Sequence, residues 1–289
     1  MVQTLVSKEW LHDHLENEDV VVVDCRSILG KPEAGWEAYQ MGHIPNARFA
    51  DLERDLSSSV QTHGGRHPLP DSAVFIRWLT KLRISPQTTV VAYDEKGDMA
   101  PHFWWLLRYF GHDKVSVLIG GITDWQNASY PIERASEASE AIADWQASVN
   151  QQVAGDVYRP HPEMTVSRSE LLEVIARPAP DIHLVDARAE PRYRGEIEPI
   201  DPVAGHIPTA QCYPWEDTVA LCAAADPHIV FQEYFAAVRD GKEIVVYCGS
   251  GVSACVDILA LYVAGIEAKL YPGSWSDWCS YPDSPIARA

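Results

Sequence analysis

Residues 244–254, IVVYCGSGVSA, join an apolar strand to a helix through a short loop that begins at Cys248. The β-branched run before the cysteine is typical of a strand buried on both faces of a parallel sheet. Gly249 and Gly251 allow the backbone to curl closely around the sulfur. Several amide N–H groups can then point at it, as in an anion-binding nest, and the helix N-terminus beyond adds positive potential. We therefore expect Cys248 to be a thiolate, which is the nucleophilic form of cysteine.

This strand and loop form one of four blocks that occur twice in the chain, in the same order. The paired blocks are residues 20–26 and 182–188, 42–45 and 205–208, 90–94 and 244–248, and 118–125 and 270–278. Four matching blocks in one order indicate a duplicated domain. A length of 289 residues also suits two domains better than one.

Each copy alternates short apolar strands with helical stretches, which favours an α/β fold. The expected helices cover residues 72–82, 101–110, 169–175 and 252–264. We predict two tandem domains, residues 1–134 and 163–289, each with a central, mostly parallel sheet flanked by helices. Residues 135–162 are expected to connect them, either as an extended linker or with a short helix within 136–148.

The corresponding loop of the first copy begins with an aspartate instead of a cysteine. It reads DEKGDMA over residues 94–100, with Asp94 in the cysteine position. A carboxylate cannot carry transferable sulfur, so we predict that the N-terminal copy is catalytically inactive. Its expected role is to form one wall of the cleft and to supply side chains.

The charge and cysteine content restrict the possible partners and cofactors. The formal net charge is −18 and no basic run opposes it, which argues against nucleic acid and anionic membranes as partners. The first residues lack a signal pattern, and no apolar run approaches the ~20 residues needed to span a bilayer. The six cysteines form no C-x-x-C pair or Cys/His cluster. We expect a cytoplasmic protein with reduced thiols, no metal and no organic cofactor.

A similar cradle occurs in cysteine phosphatases, which use the pattern Cys-x5-Arg. Their arginine clamps phosphate through two hydrogen bonds. The residue six positions after Cys248 is Ala254. Without that arginine, the phosphatase interpretation is excluded.

The sequence CGSGVS over residues 248–253 resembles the active loop of 3-mercaptopyruvate sulfurtransferases, whose pattern is C-G-S/T-G-V-T. Ser253 replaces the usual threonine and keeps its hydroxyl. Thiosulfate sulfurtransferases usually carry basic residues after the cysteine, where Gly249 and Ser250 stand here. Together with the paired Gly-His-Ile-Pro motifs and residues 270–278, the resemblance covers nearly the whole chain. The chain thus resembles the two-domain rhodanese-like sulfurtransferases, and among them it is most similar to the mercaptopyruvate enzymes.

The resemblance implies transfer of sulfur from 3-mercaptopyruvate, through a persulfide on Cys248, to a thiol or cyanide acceptor, with release of pyruvate. The partners would be a small sulfur donor and an acceptor, for which a thioredoxin-like protein is a candidate. Two alternatives stay open. One is thiosulfate:cyanide sulfur transfer, and the other is a persulfide carrier or regulatory module without efficient turnover.

The resemblance also implies the residues that bind substrate. Arg192 matches the arginine of the family's R-F/Y-x-G motif, and a planar guanidinium suits a carboxylate. Many mercaptopyruvate enzymes place a second arginine several residues later, but residues 198–201 hold none. Arg194 is the candidate to replace it. The remaining expected contacts come from the loop itself: Gly249, Gly251, Val252 and Ser253.

A proton relay is implied as well, because removal of sulfur leaves the enolate of pyruvate. Ser250 is placed to donate or relay that proton. The family supports this serine with a histidine and an acid, which match His67 and Glu53 here. His63 is the alternative to His67.

Several polar residues belong to both copies, including the copy without a cysteine. His43 and His206 are one such pair, and Asp24 and Asp186 are another. Arg188 corresponds to Arg26. Their presence in both copies predicts structural roles.

Overall fold

The computed structural model describes residues 3–134, 158–178 and 180–289. Two compact units divide the chain: Met1–Ser57 with Pro70–His161, and Ser58–Leu69 with Pro162–Ala289. Residues 58–69 therefore belong to the second unit, although the boundary predicted at residue 134 assigned them to the first. Most of the predicted connection, residues 135–157, lies outside the described residues. Tyr158 beyond it is buried, and its hydroxyl donates to the Ile84 carbonyl oxygen at 3.3 Å.

The first unit alternates strands and helices along the chain. Its elements are β1 Leu5–Val6, α1 Lys8–His14, β2 Val20–Asp24, α2 Ala34–Met41, β3 Arg48–Phe49, α3 Ser72–Lys81, β4 Thr89–Tyr93, α4 Met99–Tyr109, β5 Val115–Leu118 and α5 Gly121–Asn127. The expected helices at 72–82 and 101–110 correspond to α3 and α4. Asp71 caps α3, because its side chain accepts the Val74 N–H.

The second unit repeats this alternation. Its elements are a 3₁₀ turn Pro162–Met164, α6 Arg168–Ile175, β6 Ile182–Asp186, α7 Glu190–Arg194, β7 Gln211–Cys212, α8 Trp215–Leu221, α9 Pro227–Tyr234, a 3₁₀ turn Ala236–Val238, β8 Glu243–Tyr247, α10 Ala254–Val263, β9 Lys269–Leu270 and α11 Ser274–Trp278. A capping box between Ser167 and Glu170 starts α6. The helix expected at 252–264 corresponds to α10.

In the sheets of the two units, the strands that correspond to each other are arranged in the same order. The first sheet runs β1-β5-β4-β2-β3 and the second β7-β6-β8-β9, and the strand pairs in both are parallel. The predicted α/β class with parallel sheets is confirmed. In parallel sheets the carboxyl ends of central strands are the usual place for chemistry. Strand β8 is central and ends at Tyr247, immediately before Cys248.

A buried aspartate–arginine pair lies at the end of strand β2 in the first unit and of strand β6 in the second. The aspartate is the last residue of the strand in both. Arg188 donates to both carboxylate oxygens of Asp186 and to the Gly205 carbonyl oxygen. In the first unit Arg26 donates in the same way to Asp24 and to the carbonyl oxygen of Gly42. The contact with Asp186 raises the pKa of Arg188 although burial opposes its charge. These arginines therefore tie the end of a strand to the first residue of the Gly-His-Ile-Pro motif.

The paired histidines also have matching structural contacts. His43 Nδ1 lies 2.8 Å from the Tyr39 carbonyl oxygen, and His206 Nδ1 lies 2.7 Å from that of Tyr193. Each histidine ring also stacks on the ring of the tyrosine whose carbonyl oxygen it contacts, with ring centroids 3.9 Å apart in both units. Contacts that are equal in both copies fit a structural role.

Aromatic side chains fill the core of each unit. Trp104 and Trp105 on α4 are buried in the first, and Trp275 and Trp278 on α11 are buried in the second. Burial of such large side chains contributes strongly to stability. Across the described parts of the chain, every helix is too short or too polar to cross a membrane.

A fully buried carboxyl group, Asp257, lies on α10 behind the Cys248 loop. Its Oδ1 accepts the Thr218 hydroxyl at 2.6 Å, and its Oδ2 has no hydrogen-bond partner among the described residues. Burial raises the pKa of Asp257 well above the usual value for a carboxyl group, and the negative charges of Asp186 and Glu216 add to this. The folded protein thus favours the protonated form.

We predict that Asp257→Asn makes the protein less sensitive to alkaline pH. A raised pKa in the folded state stabilises the fold below the unfolded pKa, and this stability is lost as pH rises toward the folded pKa. The free energy of unfolding of the variant minus that of wild type should therefore be larger at pH 8 than at pH 5, by about 1–3 kcal/mol. Urea denaturation at both pH values measures this gain, with Glu173→Gln on the exposed face of α6 as control. An equal difference at both pH values would contradict the prediction.

Candidate active site

Cys248 begins the loop between β8 and α10, and its backbone is held on both sides. Its carbonyl oxygen accepts the Trp275 N–H at 2.9 Å, and its N–H donates to Ser274 Oγ at 3.1 Å. Gly251 has φ +84°, and a Cβ there would lie 2.4 Å from the Pro272 carbonyl oxygen. Only glycine fits this position without displacing backbone.

The loop residues that were predicted to contact substrate, 249 and 251–253, all lie within this turn. Cys248 itself is 1% exposed, and Val252 is buried beside it. Ser253 is partly exposed and directly precedes the first residue of α10. Enclosure of this kind keeps bulk water from the sulfur.

The corresponding loop of the first unit shows how backbone N–H groups in this conformation bind a carboxylate. The Asp94 carboxylate accepts backbone N–H bonds from Gly97 at 2.6 Å, Met99 at 2.8 Å and Ala100 at 2.7 Å. Gly97 has φ +87°, close to that of its counterpart Gly251. The amides at the matching positions of the second unit are those of Gly251, Ser253 and Ala254. This correspondence favours a similar set of donors around the Cys248 side chain.

The five other cysteines are unsuited to act as nucleophiles at neutral pH. Burial raises the pKa of each of them, to about 12 at Cys212, to about 11 at Cys222 and Cys279, and well above the usual value at Cys25 and Cys255. Cys255 is the neighbour of the active loop, and its sulfur donates to the Gly251 carbonyl oxygen. It is a core thiol.

Ser250 and His67 are brought together. Ser250 Oγ lies 2.7 Å from His67 Nδ1, and both residues are buried, 4% and 6% exposed. A buried hydroxyl bonded to an imidazole can exchange a proton through it. This geometry fits the serine–histidine pair that the sequence predicts.

His67 reaches Ser250 because residues 58–69 are part of the second unit and are bonded to its later residues. Gly64 N–H donates to Asp277 Oδ1 at 2.7 Å, and Arg66 N–H donates to Ser276 Oγ at 3.1 Å. His63, the alternative relay histidine, instead stacks on Tyr281 with ring centroids 3.8 Å apart. His63 is thus part of the attachment of this segment.

Glu53 belongs to the first unit and is exposed. Its N–H donates to Asp51 Oδ1 at 2.9 Å, in the turn after β3. Its proposed part in the relay stays a prediction from the family pattern.

Arg192 on α7 faces two buried carboxylates. It donates from Nη2 to Glu198 Oε1 at 2.7 Å and to Asp201 Oδ2 at 3.3 Å, and from Nε to Glu198 Oε2. Burial alone would raise the pKa of Glu198, but hydrogen bonds from Arg192 and from backbone amides outweigh it and lower that pKa. Glu198 is therefore a permanent counter-ion at neutral pH.

Arg194, the proposed second substrate arginine, lies on an exposed part of α7. It pairs with Glu190 one turn earlier, and both side chains are about half exposed. The guanidinium that lies beside Arg192 is that of Arg66, which pairs with Asp201 Oδ1. Motif matching missed Arg66 because it stands in a distant segment. Residues 198–201, where a second arginine was sought, instead hold the acids that pair with Arg66 and Arg192, and no motif connected them with Arg66.

No group of three or more His, Cys, Asp or Glu side chains in the described ranges could hold a metal ion.

The comparisons with known proteins agree with this geometry. The Rhodanese-like domain model matches residues 7–128 and 167–281. The chain belongs to the rhodanese-like family. As a rhodanese-like protein it is 39% identical to a probable 3-mercaptopyruvate sulfurtransferase of Pseudomonas aeruginosa, over 98% of this chain and 97% of that protein. It is 34% identical to a putative thiosulfate sulfurtransferase of Mycobacterium tuberculosis, over 99% and 97%.

A solved rhodanese fold also matches nearly the whole chain. The crystal structure of SseA from Escherichia coli, described as a 3-mercaptopyruvate sulfotransferase, aligns with a TM-score of 0.77 and 29% identity. The alignment covers 95% of this chain and 100% of that one. The predicted tandem rhodanese-like architecture is thereby confirmed.

We predict that Asp94→Asn destabilises the first unit. An amide nitrogen would replace one carboxylate oxygen and face backbone N–H donors, which leaves at least one buried donor unsatisfied. The free energy of unfolding should fall by about 2–4 kcal/mol, as measured by urea denaturation. Glu95→Gln, an exposed acid in the same loop, serves as control and should change little. Equal stability of the two variants would show that the amides do not depend on the Asp94 charge.

Proposed function

We propose that this protein transfers sulfur from 3-mercaptopyruvate to a thiol, cyanide or a thioredoxin-like protein. In the first half-reaction the Cys248 thiolate attacks the donor sulfur. A new S–S bond forms while the donor C–S bond breaks, and its electron pair leaves with the carbon as pyruvate enolate. One proton then completes pyruvate. In the second half-reaction the acceptor attacks the outer sulfur, and Cys248 returns as a thiolate.

The observation that carries this choice of donor is the 2.7 Å contact between Ser250 and His67. Mercaptopyruvate leaves a carbanion equivalent, so its cleavage benefits from a proton donor beside the reacting sulfur. Thiosulfate releases sulfite, a stable anion whose departure needs no proton on carbon. A buried serine two residues after the nucleophile, bonded to a histidine, is therefore useful for the first donor and unnecessary for the second.

The backbone of the loop supports the persulfide stage. Amides arranged like those around Asp94 would stabilise negative charge on the outer sulfur at fixed positions, without reorganisation of solvent. The family membership and the names of the relatives support the same reaction class.

We predict that Cys248→Ser abolishes pyruvate release from 3-mercaptopyruvate, because an alkoxide is not formed at neutral pH and no persulfide can be held. Wild type should gain 32 Da on Cys248 when treated with the donor alone, since one sulfur atom is added. The assay is run beside one with thiosulfate, and the ratio of kcat/KM values for the two donors identifies the preferred one. Pyruvate release by the serine variant would overturn the assignment of Cys248. A larger kcat/KM for thiosulfate would overturn the choice of donor.

We predict that Ser250→Ala separates the two donors. With 3-mercaptopyruvate, kcat should fall by about 10²–10³-fold, the usual contribution of a general acid. Persulfide formation from thiosulfate, followed by mass spectrometry, should be retained because it requires no proton on carbon. Equal losses with both donors would mean that Ser250 supports the loop and does not transfer a proton.

A further inference from the structure

Two guanidinium groups lie over the residue that follows the nucleophile. A Cβ built on Gly249 would lie 2.9 Å from Arg66 Nη2 and 3.5 Å from Arg192 Nη1. Gly249 therefore faces two arginines that come from segments far apart in the sequence. The lack of a side chain at this position leaves both guanidinium groups close to the Cys248 loop.

Asp201 holds the two arginines side by side. Its Oδ1 pairs with Arg66 Nη1, and its Oδ2 accepts from Arg192 Nη2 at 3.3 Å. The Asp201 side chain is 3% exposed, whereas those of Arg66 and Arg192 are 29% and 16% exposed. The carboxylate is thus buried beneath the arginines, which keep part of their surface toward solvent.

The charges of this cluster balance. Arg66, Arg188 and Arg192 face Asp186, Glu198 and Asp201. An anion is therefore not attracted by excess charge, and its binding depends on N–H donors directed at it. Planar guanidinium groups suit a carboxylate, which accepts two parallel hydrogen bonds.

We propose that Arg66 is the second cation that binds the carboxylate of the sulfur donor, together with Arg192, and that Asp201 is the positioning residue for both. The inference rests on the proposed function, because it assigns a group to the carboxylate of an α-keto acid donor. Arg66 thereby takes the part for which the sequence pattern suggested Arg194. The segment where a second arginine was sought supplies Asp201, the counter-ion of Arg66.

The first test compares Arg66→Ala with Arg194→Ala, which removes an exposed, ion-paired arginine of the same region. With 3-mercaptopyruvate, Arg66→Ala should lower kcat/KM by about 10- to 100-fold, mainly through KM, as expected for loss of a charge-assisted hydrogen bond. Arg194→Ala should leave it unchanged. Arg66→Lys should recover part of the loss, because it restores the charge without the planar fork.

A neutral donor separates a carboxylate contact from a structural effect. The amide of 3-mercaptopyruvate has no charge for Arg66 to bind, so wild type and Arg66→Ala should use it with similar kcat/KM. An equal loss with acid and amide would show that Arg66 only supports the His67 segment, and would overturn the inference.

A binding measurement keeps this inference distinct from the reaction itself. In a Cys248→Ser background, calorimetry with pyruvate as the probe needs no turnover. Removal of Arg66 should weaken pyruvate binding about 10-fold or more, while removal of Arg194 should not. Equal pyruvate affinity with and without Arg66 would overturn the proposed site. Failure of wild type to turn over mercaptopyruvate would instead overturn the proposed function and leave the result on pyruvate binding to decide on Arg66.

Discussion

The architecture depends on how the loop after a central parallel strand satisfies its amide groups. When the strand ends and the chain turns sharply, these N–H groups lose their partners in the sheet, and each buried donor without an acceptor destabilises the fold by about 1–3 kcal/mol. The first unit solves this with the Asp94 carboxylate, which accepts three of them. In the second unit Cys248 stands at that position, and a neutral thiol is a weak acceptor. A loop of this kind is best satisfied when the sulfur is an anion, as in a thiolate or a persulfide.

Much of the fold could be predicted because it is encoded locally and then repeated. Runs such as Val20–Val23 and Ile244–Tyr247 are apolar and β-branched, and they end at polar residues, so that both the strands and the position of the loop could be identified. The duplication then strengthened each assignment, because two weak patterns in the same order rarely agree by chance. The presence of Asp24, Asp186 and their arginines in both copies predicts structural roles for them, and their matching contacts in the two units fit that prediction.

The contacts between distant segments of the site could not be predicted from the local pattern of residues. Ser250 and His67 are separated by 183 residues, and only the family pattern connected them. The pair Arg66–Asp201 spans 135 residues, and no pattern pointed to it. Helical spacing explains why Arg194 lies at the surface and pairs with an acid, although it was expected to contact substrate. Residue 190 lies four positions earlier on the same face of α7, so Arg194 pairs with Glu190 at the surface.

The two copies differ in length immediately before the Gly-His-Ile-Pro motif. Between the tyrosine that stacks on the histidine and the Gly-His-Ile-Pro motif, the first copy has residues 40–41 and the second has residues 194–204. The longer segment contains Glu198 and Asp201, the acids that hold the arginines. The aspartate, arginine and histidine that both copies share have the same contacts on either side of this segment. The formal charge of −18 does not by itself oppose the proposed binding of an anion here, because exposed charges more than ~8–10 Å away are screened. At shorter range the direction of each N–H bond decides, and the acids at 198 and 201 fix that direction.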